Sequence, residues 1–165
     1  MSNRNRSVGH KLETTVVQKI NRRSLGKISE GYTNAELGKT DPSLYCVLPK
    51  VGTTRALSRA LDARKVDITT VIPEKVRDFP YLIQTKTLAG GKADYPLFLG
   101  EIREKNSNGI PVFIHQQTTR TVTKTDKVVF KVRDEFACLY LTDFIDMMFR
   151  IAELEFELKQ REFHE

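Results

Sequence analysis

Residues 66–72 and 81–87 are two runs of β-branched and aromatic side chains, separated by a polar stretch bounded by Pro73 and Pro80. Such runs favour a pleated, half-buried surface, and a proline cannot donate to a strand ladder, so both runs stop there. The pattern predicts an antiparallel hairpin over 66–87. On either side of it the periodicity changes. Val8, Leu12, Val16, Val17 and Ile20 recur at about one helical turn, which predicts an amphipathic helix over 8–23 with Ser7 as its cap. Residues 24–43 are rich in Gly, Ser, Thr and Asn, end in Asp41-Pro42, and read as a long connection. A strand is expected over 44–48, ended by Pro49, and residues 53–64 read as a short helix or an exposed flap.

Beyond the hairpin, Gly90-Gly91 breaks the chain, a helical pattern covers 94–105, and Asn106-Ser107-Asn108-Gly109 ends it before a strand over 111–116. That order implies a β-α-β crossover. Strands are expected over 128–132 and 136–141, joined by a turn or bulge at Arg133-Asp134-Glu135, with Thr142 capping a last helix to about residue 161. The fold class is α/β: a central mixed β-sheet flanked by helices, with an antiparallel hairpin and a long C-terminal helix.

At 165 residues, 39% of them hydrophobic and 29% charged, the chain suits one domain spanning 1–165. No apolar run reaches the roughly 18 residues of a membrane span, and no secretory signal precedes the first helix, so a cytoplasmic protein without membrane contact is expected. Cys46 and Cys138 lie in apolar surroundings without a C-x-x-C and are expected to be small core residues. The net charge of +6 is unevenly spread. Residues 1–65 hold 13 Lys/Arg against 5 Asp/Glu, whereas residues 134–165 hold 3 against 9. A basic front half can neutralise phosphates and release counterions, a sequence-independent attraction for nucleic acid; the plain alternative is a solvated surface.

If the hairpin forms, Asp67 stands near the start of its first strand, and Gln84 and Lys86, two apart, share a face of the second. A carboxylate and an amide carbonyl are hard oxygens suited to Mg²⁺, which takes few protein ligands. A lysine beside them can orient a water and counter charge growing on a phosphate. Glu13 is the only acid in the first helix and stands four residues after Gly9. Asp62 is a rival acid, but it falls in an Arg-rich helical segment and reads as a surface partner of an arginine. His115, in a strand just before Gln116-Gln117, reads as a satisfied structural histidine, with a phosphate contact as the alternative. His10 is a possible DNA contact, and His164 is assigned to solvent. Gly90-Gly91-Lys92-Ala93 lacks the earlier glycine and the following Ser/Thr of a phosphate-binding loop, leaving a turn with Lys92 as a phosphate contact.

A basic N-terminal segment, a G-x-x-x-E helix, a strand, an Asp-bearing strand, an [E/Q]-x-K strand, a helix and another strand together resemble the PD-(D/E)XK nuclease superfamily, nearest to the archaeal-type, also viral, Holliday junction resolvases. The resemblance covers roughly residues 4–120 and rests on order and spacing. It implies a restriction-endonuclease-like fold and a catalytic set of Glu13, Asp67, Gln84 and Lys86. Glu13, Asp67 and Gln84 would hold Mg²⁺, with Mn²⁺ able to substitute. The arm over 1–7 with Arg4 and Arg6, together with Lys11, would touch the DNA backbone. It implies a homodimer that cuts opposing strands of branched, four-way-junction DNA, in a host cytoplasm if the source is viral. The sequence departs from the family at Gln84, where a Glu is usual, and at Val66, where a proline is usual. The segment between Glu13 and Asp67 is also longer than in compact resolvases, and would be a flap presenting Arg55, Arg59 and Arg64 to DNA. A restriction-type or repair-type nuclease, or a DNA-binding protein with a decayed site, are the alternatives.

The last helix carries Phe144, Ile145, Met148, Phe149, Ile151, Ala152, Phe156 and Leu158, an apolar surface wider than a single packing face needs. One side is expected to pack on the sheet, and the excess to form a dimer interface.

Overall fold

The computed structural model describes residues 3–89 and 93–162. Helix α1 (Asn3–Leu25) lays Leu12 and Val16, one turn apart, against Val51, Ile68, Phe79, Ile83 and Val112, with Val17 and Ile20 at the margin. Fully burying a leucine such as Leu12 contributes roughly 2 kcal/mol. The strands β1 (Val51–Thr53), β2 (Ile68–Thr70), β3 (Tyr81–Ala89), β4 (Ile110–Val122) and β5 (Val128–Cys138) form one sheet in the order β1-β2-β3-β4-β5. All neighbours are antiparallel except β3 and β4, which are parallel. A parallel pair requires a crossover. Helix α5 (Tyr95–Lys105) supplies it, capped by the Asp94 carboxylate, which accepts from Leu97 N at 3.1 Å.

Alternation along β4 puts Val112 toward α1 and Phe113 toward α5, where its ring stacks on Phe98 with centroids 4.5 Å apart. The sheet is therefore covered by α1 on one face and by α5 on the other. Gly109 (φ 115°) turns the chain into β4, and a Cβ there would meet Leu82 Cγ at 2.8 Å and the Pro80 carbonyl at 2.9 Å. The short edge strand β1 is tied to α1 by the buried Asn21 amide, which donates to Val51 O at 3.0 Å and accepts from Val51 N at 2.9 Å.

The expected hairpin and crossover are present, but several sequence expectations change. Arg4 and Arg6 belong to α1, not to a separate arm over 1–7, because no Gly or Pro stops the helix between Asn3 and Ser7. The stretch 24–43 is not a structureless loop. It holds a 3₁₀ turn (Gly26–Ser29), helix α2 (Asn34–Lys39) and the start of another 3₁₀ turn (Pro42–Leu44). Thr33 and Glu36 close a reciprocal capping box on α2, a T-x-x-E signal legible in the chain. Leu37 packs with Leu25 and Tyr45 in a small second core. The first strand lies after Pro49 rather than over 44–48, where β1 finds both Asn21 and β2 as partners. Of the two readings of 53–64 the helical one holds, as two short helices, α3 (Thr54–Leu57) and α4 (Arg59–Ala63).

The two late strands are one, β5, with Arg133 as an extra residue between the pairs Gln117–Asp134 and Thr118–Val132. Cys46 is exposed and Cys138 half-buried, so neither is a core residue; both are free thiols. Helix α6 (Leu141–Glu162) contains Thr142 inside its first turn rather than as its cap. Most of its apolar side chains are not buried: Phe144, Ile145, Met148, Phe149, Ile151, Leu154, Phe156 and Leu158 are all exposed. Its start is pinned to α5 by Arg103, which pairs with Asp143 at 2.9 Å and lies over the Tyr140 ring at 3.9 Å. Gly90, Gly91 and Lys92 lie outside the described residues, as does His164.

Candidate active site

Asp67 is set by where β2 parts from β3. After α4, Lys65 adopts φ 66° and the chain turns inward. The buried Thr54 then draws it toward β1: its hydroxyl donates to Val66 O at 2.6 Å, and its N–H donates to Asp67 O at 2.9 Å. Asp67 N still donates to Ile83 O at 2.7 Å, but no residue before it continues beside β3. The Thr85 N–H therefore lacks a strand carbonyl. The Asp67 carboxylate takes that place, accepting from Thr85 N at 2.6 Å and from Thr85 Oγ1 at 3.2 Å.

Ile68 is paired with Ile83, so one step along Asp67 stands across from Gln84. Strand alternation puts Gln84 and Lys86 on the face opposite α1, as their spacing predicts, whereas the Asp67 carboxylate, just before β2, reaches the Thr85 N–H and hydroxyl and senses Glu13 on α1. Gln84 is 2% exposed, and its Oε1 is one of two buried side-chain polar atoms without a hydrogen-bond partner among the described residues. Such an orphaned acceptor costs about 1–3 kcal/mol and calls for an explanation. Burial pushes the Asp67 carboxyl up to about 6, the negative charge of Glu13 pushes the same way, and the Thr85 hydrogen bonds and the Lys86 ammonium oppose them. Glu13 and Lys86 thus each lie within electrostatic reach of Asp67.

Glu13 is 5% exposed on α1, held by Arg55 Nη2 at 3.0 Å and His10 Nδ1 at 3.4 Å. Arg55 was expected to face DNA. Its side chain is half exposed and pairs with this buried acid, which needs a counter-charge. The link is 42 residues long and leaves no local pattern in the sequence. Lys11 is exposed on α1, and Arg59 and Arg64 are exposed on and just after α4. Arg4 and Arg6 are placed only as positions of α1, and Lys92 is outside the described residues. Asp62 is exposed on α4, whereas the strand-edge position belongs to Asp67. His10 is exposed, with Nδ1 3.4 Å from Glu13 Oε2. His115 is buried on β4 directly beside Lys86 and is satisfied at only one ring nitrogen, so the expectation of a fully paired structural histidine does not hold.

Among the described residues, no group of three or more His, Cys, Asp or Glu side chains is arranged to hold a metal. The oxygen donors that these residues offer are mixed: the carboxylates of Asp67 and Glu13, which sense each other's charge, and the amide carbonyl of Gln84 on the strand beside Asp67. That donor set, with a buried carbonyl lacking a partner, fits a small hard cation that retains several waters. Comparison with protein-family models, with curated proteins and with solved structures gives no match. No helix among the described residues is long and apolar enough to cross a membrane.

Proposed function

We propose that this chain is a Mg²⁺-dependent endodeoxyribonuclease of the PD-(D/E)XK type that cleaves branched DNA, in particular four-way junctions. The single observation that carries the proposal is the buried, unpartnered Gln84 Oε1 across from an Asp67 carboxylate whose proton affinity is raised. An acid perturbed by desolvation and by specific charged neighbours is a functional-site candidate, and a buried unsatisfied acceptor beside it calls for an explanation. The order of α1, β1, β2, β3, α5 and β4 supports the same superfamily and a restriction-endonuclease-like sheet, with α2, α3 and α4 as additions before β2.

Asp67 and Gln84 would hold the cation, with Glu13 contributing directly or through water, and Mn²⁺ could take its place. A divalent cation bound there supplies Lewis-acid polarisation of the phosphodiester. Lys86, two residues from Gln84 on the same face, orients a water for attack on phosphorus and offsets the negative charge that develops as the bond to the leaving oxygen breaks. The exposed Lys11, Arg59 and Arg64 bind backbone phosphates without reading sequence. Paired cuts need two sites, and the exposed apolar face of α6 supplies a surface on which two copies associate.

The test is cleavage of labelled four-way junction against matched linear duplex, with Mg²⁺ and with chelator, alongside Lys86→Ala. Junction cleavage that needs the metal and falls by about 10²–10³ in Lys86→Ala is the expected result. Equal cutting of linear duplex favours a restriction-type or repair-type enzyme of the same superfamily. A second reading, a DNA-binding protein with a decayed site, draws on Gln84 standing where an acid would bind a cation more strongly. Salt-sensitive binding without cleavage in either Mg²⁺ or Mn²⁺ would establish it.

A further inference from the structure

The second buried, unpartnered side-chain atom among the described residues is His115 Nε2. It is not remote from the first. In the parallel β3–β4 register His115 is paired with Lys86 and Phe113 with Gln84, so Gln84, Lys86 and His115 share one face of two adjacent strands. His115 is 3% exposed and walled by Phe113, Phe136 and Tyr95, with ring centroids 6.1–6.4 Å away. Its other nitrogen, Nδ1, lies 3.3 Å from the hydroxyl of Tyr95, the first residue of α5.

Burial pushes the His115 imidazole below its usual pKa, which favours the neutral ring. A neutral imidazole carries one N–H, and which nitrogen bears it is set by the partner of the other. Either group can donate across this contact; where the Tyr95 hydroxyl donates to Nδ1, the proton of the neutral ring sits on Nε2, as a buried donor with nothing to receive it. A donor in that state costs about 1–3 kcal/mol unless an acceptor arrives. The residue paired with His115 on β3 is the cationic Lys86, whose charge attracts an anion to the same pair of strands.

We infer that Tyr95 and His115 form a phosphate-positioning pair, Tyr95 fixing the tautomer and His115 Nε2–H donating to a non-bridging oxygen of the phosphodiester beside Lys86. The inference rests on the nuclease reading of the site and adds a substrate contact to it. It involves no proton transfer: His115 holds a phosphate oxygen, and Lys86 keeps its own role toward water. It also accounts for two orphaned atoms on one face, since Gln84 Oε1 would face the cation and His115 Nε2–H the anion.

The experiment uses the full chain with ¹⁵N-labelled histidine. In chelator, so that no cleavage occurs, the His115 resonances should report an Nε2–H tautomer, and Tyr95→Phe should move them toward a mixture. Addition of a short duplex DNA should shift the Nε2 resonance. A wild-type Nδ1–H tautomer, or a His115 signal indifferent to DNA, overturns the pair. Cleavage then separates the two claims. With Mg²⁺ and junction DNA, His115→Gln keeps an N–H near the same place and should stay within about fivefold of wild type, whereas His115→Leu should lose about 10–100-fold. Sulfur replacing the contacted phosphate oxygen should slow the wild type more than His115→Leu; equal slowing of both overturns the contact. A chain whose His115 responds to DNA but which never cleaves retains the phosphate contact and loses the nuclease assignment. If His115→Leu does not fold, Tyr95→Phe carries the same comparison, with a smaller expected loss of about threefold to tenfold.

Discussion

The two long helices, α1 and α6, begin from similar material and reach opposite ends. Both run more than twenty residues and both carry apolar side chains at helical spacing. In α1 the apolar stripe is narrow, and Leu12 at 1% and Val16 at 7% exposure disappear into the sheet. In α6 the apolar positions spread over more than half the circumference, and Phe149 stays 67% exposed and Phe156 63%. A helix with a narrow stripe is completed by one sheet face, and its remaining turns are free to present a residue such as Glu13 to the strand edge. A helix with a wide apolar face is completed only by something outside its own chain. On the proposal above, one helix contributes to the site and the other builds the assembly.

The contrast can be broken or sharpened by substitution. The largest effect is expected in α1: Leu12→Ala should lower unfolding free energy by about 2–5 kcal/mol, read by urea denaturation. A loss below about 1 kcal/mol would mean that α1 is not part of the core. Next comes the strand edge that α1 serves. The folded-state pKa of Asp67 is raised from 3.8 to about 6, so the protonated carboxyl is the form the fold prefers. Its stabilising contribution is full below about pH 3.8 and is lost as the pH climbs through about 6. At neutral pH the charge is therefore held at a cost. Asp67→Asn, which keeps an acceptor for Thr85 N–H, should be more stable than wild type by about 1–3 kcal/mol at pH 7, and the gain should vanish near pH 4. Stability of the variant that is equal to or below wild type at pH 7 would contradict a strained functional carboxylate. The smallest folding effect is expected in α6: Phe144→Ser with Met148→Ser should change stability of the isolated protomer by less than about 0.5 kcal/mol. The same pair should shift sedimentation from dimer toward monomer, and an unchanged sedimentation profile would remove α6 from the interface.

Much of the scaffold around the site is legible from local patterns. The two β-branched runs ended by prolines predict the hairpin, and the Asp94 cap with the Gly109 turn marks α5 and the return to β4. The two-residue spacing of Gln84 and Lys86 predicts their shared face because alternation in a strand is a local rule. What went unread depends on partners distant in sequence. The strand at Val51–Thr53 is only three residues long and exists because Asn21 and β2 supply its hydrogen bonds. The ion pair between Glu13 and Arg55 joins α1 to α3, and the orphaned nitrogen of His115 depends on how α5 crosses β4. Cys46 lies between Tyr45 and Val47, yet it is exposed because only Tyr45 reaches the small core with Leu25 and Leu37.

The amino-acid order alone determined which segments are strands of the hairpin, which residues alternate onto one face, and where charge of each sign collects. These follow from backbone sterics and side-chain period, which act over a few residues. Only the tertiary structure decided that β2 leaves β3 just before Asp67, so that a carboxylate takes over the duty of a backbone carbonyl. It also decided that Glu13 is buried with a counter-ion and that α6 stays uncovered. Each of those outcomes depends on burial and on hydrogen-bond partners brought from far along the chain, and desolvation acts on the assembled surface rather than on the sequence beside it.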